Sequence, residues 1–105
     1  MNIKFAYLYR DGGNYKNFRE IVFTNNKNLE IDEIRRLISS KLIDDTWFYA
    51  SRWGLPDLHF LEYQYDPNID VDWHEFEIIE LTDEISGDNI DIEVLFKILE
   101  GLHDL

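Results

Sequence analysis

Asn2-Ile3-Lys4-Phe5-Ala6-Tyr7-Leu8-Tyr9-Arg10 decides the fold class, because large apolar side chains recur there at every second position. A strand turns successive side chains to opposite faces, so Ile3, Phe5, Tyr7 and Tyr9 share one face and Asn2, Lys4, Ala6 and Leu8 take the other. Asp11-Gly12-Gly13-Asn14 follows as a turn cluster whose glycines tolerate positive φ. A β-branched and aromatic run from Phe18 to Thr24 comes next, and the first quarter of the chain reads as a hairpin.

Working outward, the period changes. Ile31, Ile34, Ile38 and Leu42 recur at helical spacing over about 31–42, with Glu30, Asp32 and Glu33 at the start and Arg35, Arg36 and Lys41 later, as the helix dipole favours. From Asp44 to Pro56 the pattern is ambiguous: Thr46 to Trp53 reads as an aromatic strand or as a short helix ended by Gly54, and helix or irregular structure is favoured. His59–Tyr65 and Trp73–Leu81 alternate again and predict two antiparallel strands joined by an acidic connection. Ile92, Leu95, Phe96, Leu99 and Leu102 form a second helical stripe, with Asp88 and Asn89 as capping candidates and Gly101 near its end. The order ββα-ββα predicts a single α+β domain over 1–105: an antiparallel sheet of about four strands with two helices on one face.

Composition supports one folded core. In a chain of 105 residues, 45% hydrophobic and 15% aromatic content is too rich for a disordered segment, despite the charge. The absence of cysteine excludes disulfides, thiolate nucleophiles and cysteine-bound metals, and fits the cytoplasm. Neither a signal-peptide core nor a run of about 18 apolar residues occurs, so a soluble protein is expected.

The net charge of −12 is unevenly placed: residues 1–53 carry +2 and residues 54–105 carry −14, the latter holding Lys97 as their one base. Such a surface repels phosphates and anionic lipid, which argues against nucleic acid or membrane as partner and in favour of a basic protein. Leu55 to Phe96 contains no Lys or Arg, so its aromatics lack the interleaved cations that single-strand stacking needs.

Catalytic and metal motifs are sparse. Gly12-Gly13 lacks a following Lys-Ser or Lys-Thr, and no serine sits in a Gly-x-Ser-x-Gly frame. Asp66, Asn68, Asp70 and Glu77 fall at positions 1, 3, 5 and 12 of a window that resembles a calcium loop. Val71, however, stands where the loop needs glycine, Pro67 stiffens its second position, and strands flank it in place of helices. His59/Glu62 and His74/Glu77 are spaced by three, which on a strand points partners to opposite faces.

Two functional classes follow. The first is a non-catalytic acidic binding module, of the inhibitor, immunity-protein or nucleic-acid-mimic type, that requires no cofactor. Trp47, Tyr49, Trp53 and Trp73 would be its anchors, and Asp70, Asp72 and Glu75 its steering charges. The second is a small enzyme or metal-binding domain using His59, His74 and nearby carboxylates.

Overall fold

The computed structural model describes residues 1–58 and 73–102. Its elements are β1 (Asn2–Arg10), β2 (Lys16–Phe23), α1 (Ile31–Lys41), β3 (Trp47–Phe48), a 3-10 helix (Ala50–Trp53), β4 (His74–Thr82) and α2 (Ile92–Glu100). The four strands form one antiparallel sheet in the order β2-β1-β4-β3, so the alternating N-terminal strand lies at its centre. The sequence reading of an α+β chain with four strands and two helices therefore holds. The expected strand at His59–Tyr65 lies outside the described residues, and the fourth strand of the sheet is Trp47–Phe48.

Alternation in β1 divides the molecule into two faces. Ile3, Phe5, Tyr7 and Tyr9 are buried in one cluster with Ile34 and Ile38 of α1 and Ile92, Leu95 and Leu99 of α2, so both helices cover the same side of the sheet. Phe96, counted in the helical stripe, is only partly buried at the margin of this core. Ala6 and Leu8 are buried as well, although they point away from the helices. Their central position explains this, since Leu8 is flanked by Phe18 on β2 and Glu75 on β4, and Ala6 by Glu20 and Ile78.

Local chemistry sets the boundaries. In the hairpin turn the left-handed residue is Asn14, with φ 66°, where the sequence suggested the glycines. Asp11 organises that turn, its Oδ1 accepting from the amides of Gly13 and Tyr15 at 2.9 Å each. The stretch after α1 becomes a two-residue strand and a 3-10 helix, ended by Gly54 at φ 70°. α2 is capped by Asp91, not by Asp88 or Asn89, and Asp91 Oδ2 accepts from Glu93 N at 3.1 Å. The cap falls late because Thr24 first pairs with this segment: Thr24 N donates to Ile90 O, and Ile92 N donates to Thr24 O. No helix among the described residues is long and apolar enough to cross a membrane.

Candidate functional site

β3 is two residues long, and its register puts Trp47 opposite Glu75 and Phe48 opposite His74. Alternation then separates these pairs by face: Phe48 and His74 are buried in the core, while Trp47 and Glu75 stand on the side away from the helices. Trp73, just before β4, comes to that same side. Its ring centroid lies 6.2 Å from that of Trp47 at an interplanar angle of 52°, and 37% of its surface stays exposed. The fold thus gathers two of the four candidate anchors into one aromatic corner.

The other two fare differently. Tyr49 is half-buried beneath Arg52, whose guanidinium carbon sits 5.1 Å from the ring centroid. Trp53 is a core residue, 3% exposed, with its ring 4.5 Å from that of Phe48. Its ring is packed inside the molecule and not on the outer face of the sheet, so it does not join Trp47 and Trp73 as an exposed anchor there. Sequence could not separate Trp47 from Trp53, because the switch from strand to 3-10 helix between them changes which positions face inward.

Glu75 is placed at the corner but is not a free charge. Arg10 Nε donates to its Oε2 at 2.7 Å, and a second guanidinium nitrogen donates to its Oε1 at 3.3 Å. This bidentate contact, chiefly through the hydrogen bond, raises the Arg10 pKa above its ordinary value. Arg10 is also held by Asn14 Oδ1 at 2.6 Å. A row therefore crosses the outer face: Phe18 on β2, Leu8 on β1, Glu75 on β4 and Trp47 on β3. Phe18 is 57% exposed and extends the apolar surface to the far edge of the sheet. Sequence reasoning missed Arg10, Leu8 and Phe18. The available signal was the apolar pair Ala6/Leu8 at positions assigned to the second face of the central strand.

His74 is enclosed by the rings of Tyr7, Tyr9 and Phe48, with centroids 5.9, 5.2 and 6.1 Å away. Its Nε2 accepts a hydrogen bond from Leu58 N at 2.9 Å, which occupies the lone pair that a metal would need there. Asp57 Oδ1 lies 3.5 Å from the same nitrogen. Beside it, Tyr7 donates its hydroxyl to Pro56 O at 2.7 Å, and burial first of all pushes the phenol up to about 12. These contacts tie the 56–58 segment to the sheet. Among the described residues no group of three metal-ligating side chains occurs. Glu77 is exposed in a β-bulge, where the register on β1 steps from Ala6–Ile78 to Tyr7–Phe76. His59, Asp66, Asn68, Asp70 and Asp72 lie outside the described residues.

Compared with protein families, curated proteins and solved structures, the chain matches none.

Folding redistributes the charge asymmetry of the sequence. Among the described residues three cations of the basic half pair with acids of the acidic half: Lys4 with Glu84, Arg10 with Glu75, and Lys27 with Glu93. Hydrogen bonding to Lys4 and to Lys27 respectively is the main cause that holds the Glu84 and Glu93 carboxyls below their ordinary values. Asp57, Glu77, Asp83, Asp88 and Glu100 remain at exposed positions.

Proposed function

We propose that this chain is a non-catalytic binding module for a basic protein, with Trp47 and Trp73 as apolar anchors on the outer face of the sheet. The observation that carries the reading is the aromatic corner itself. Two tryptophans meet there on the side that the helices leave uncovered, beside the Arg10–Glu75 ion pair. Tryptophan contributes heavily to protein interfaces because one side chain removes a large apolar area from water at small conformational cost.

Charge supports a cationic partner. With a net charge of −12, carboxylates dominate the field around the molecule, and such a field speeds encounters with a cationic surface. Small acidic inhibitors, immunity proteins and nucleic-acid mimics work this way, and the chain fits that class in size and charge.

The test begins with capture of a partner from native extract at low salt, followed by association kinetics of the purified pair. The double variant Trp47→Ala/Trp73→Ala should speed dissociation at least tenfold, since hot-spot truncation costs about 2 kcal/mol or more. Association of the unaltered chain should slow steeply between about 0.05 and 0.3 M salt. A partner whose association ignores salt, or whose dissociation ignores both tryptophans, would remove the basis of the reading.

A further inference from the structure

On the helix side of the sheet, opposite the face that carries the aromatic corner, a cleft of about 190 Å³ opens between the end of β2, the 53–56 segment, the 88–90 loop and α2. Its walls are apolar: Phe23, Trp53, Leu55, Leu95 and Ile98 surround it, and among the described residues Asp88 is the one charged side chain in the lining. Phe23, Trp53, Leu55 and Leu95 belong to the buried core, so this part of the wall is rigid. At the rim Ile90 is 42% and Val94 53% exposed.

Gly54 keeps the space open. It sits at φ 70°, and a Cβ there would stand 3.0 Å from Ile98 Cδ1, against the opposite wall. Any side chain at this position would project into the cleft.

Size and charge together define an occupant. The volume accommodates one aromatic ring or branched chain, and an apolar wall of this kind stabilises such a group by removing it from water. Asp88 makes no ion pair among the described residues, and the molecule carries a net charge of −12, so an anion is disfavoured and a cation attracted. We propose that the cleft is a binding site for an ammonium carried on a single apolar ring or branched chain, with Asp88 as the counter-charge. The same chemistry is offered by a free arylalkylamine and by an apolar side chain next to a lysine. This site does not depend on the aromatic corner or on a protein partner for it.

The test uses the full chain and four probes followed by amide and indole shifts in NMR: phenethylamine, the capped dipeptide acetyl-Phe-Lys-amide, phenylethanol and phenylacetate. One or both cations should shift Trp53 Nε1–H and the amides of Phe23, Gly54 and Ile98, with a dissociation constant in the millimolar range expected for so small a ligand. Binding by phenethylamine identifies a small-molecule site, and binding by the dipeptide alone identifies a peptide-anchor site. Phenylethanol should bind about two- to fivefold more weakly, the worth of one exposed ion pair, and phenylacetate more weakly still. Asp88→Lys, at an exposed loop position, should reverse the order in favour of phenylacetate. Val94→Trp, at an exposed helix position, should abolish binding by roofing the cleft. Shifts that are equal for all probes, an order that Asp88→Lys leaves unchanged, or no shift of the cleft residues at about 10 mM would overturn the proposal. Loss of a protein partner on mutation of Trp47 and Trp73 should leave this binding intact.

Discussion

Single residues in this chain divide sharply by the face they occupy. Trp47 and Trp53 are six positions apart and chemically alike, yet one is half-buried at the aromatic corner and the other packs 4.5 Å from Phe48 in the core. Trp53→Ala should therefore destabilise the protein by about 3–5 kcal/mol, the usual cost of deleting a buried aromatic. Trp47→Ala should cost about 1 kcal/mol or less. Denaturant melts of the two variants check this, and equal losses would place Trp47 in the core as well. Asp91 makes a second residue-scale case. Besides capping α2, its Oδ1 accepts from Thr24 Oγ1 at 2.9 Å and from Asn26 N at 2.8 Å. Burial alone would raise its pKa, but these bonds and that from Glu93 N outweigh it and hold the carboxyl below its ordinary value. The sign follows: a carboxyl lowered in the folded state adds stability above its unfolded value near 3.8, lost as pH falls through the folded value. Asp91→Ala should lower stability by about 1–2 kcal/mol at pH 7. The gap from the unaltered protein should narrow below pH 4, and a gap unchanged down to pH 2 would show that the ionised carboxylate is not the source.

At the scale of elements, strong periodicity proved readable and context-dependent structure did not. β1, α1 and α2 were legible because each repeats an apolar side chain at its own period over two or more turns or alternations. The 44–56 stretch was legible in part: the short helix ended by Gly54 is there as Ala50–Trp53, but β3 before it spans two residues, has no period, and is a strand only because β4 lies beside it. The cap of α2 was misplaced for a similar reason: the choice of Asp91 over Asp88 depends on the distant Thr24, which pairs with Ile90 and Ile92. The aromatic corner was legible in composition but not in membership, since only tertiary pairing brings Trp73 to Trp47. Gly54 is the element-scale position with a direct test. It ends the 3-10 helix in a left-handed conformation, from which its amide donates to Ser51 O at 3.3 Å and beyond which Leu55 N returns to Ala50 O at 2.9 Å. Gly54→Ala should cost about 1–2 kcal/mol from the left-handed backbone, with an added penalty from Ile98. Chemical denaturation reads it, and a neutral result would mean that the segment shifts freely at little cost.

The whole molecule balances short attractions against long repulsions. Among the described residues three ion pairs join its basic and acidic halves, and the contacts of Arg10 with Glu75 and of Lys27 with Glu93 close to 2.7 Å. The net charge of −12 remains, and mutual repulsion among the exposed acids opposes compaction. These two terms respond differently to salt, because the Debye length falls from about 30 Å at 0.01 M to about 8 Å at 0.15 M. Repulsions between acids on opposite sides of the molecule lie beyond the shorter length and are largely removed, while pairs in direct contact are screened least. Added salt should therefore stabilise the fold. We expect the Tm at pH 7 to rise when NaCl is increased from about 0.01 to 0.15 M, over the same range in which association with a basic partner slows. The opposite signs matter, since a general salt effect on folding would move both in one direction. Titration does not confuse the measurement. Glu84 and Glu93 are held below the ordinary 4.5, and Lys4 and Lys27 above the ordinary 10.5, so their pairs remain charged at pH 7. Replacing Glu77, Asp83 and Glu100 by glutamine should raise the low-salt Tm and flatten its salt dependence, because it removes repulsion without touching the three pairs. A Tm that falls with added NaCl would mean instead that the cross-half pairs dominate the electrostatics of the fold.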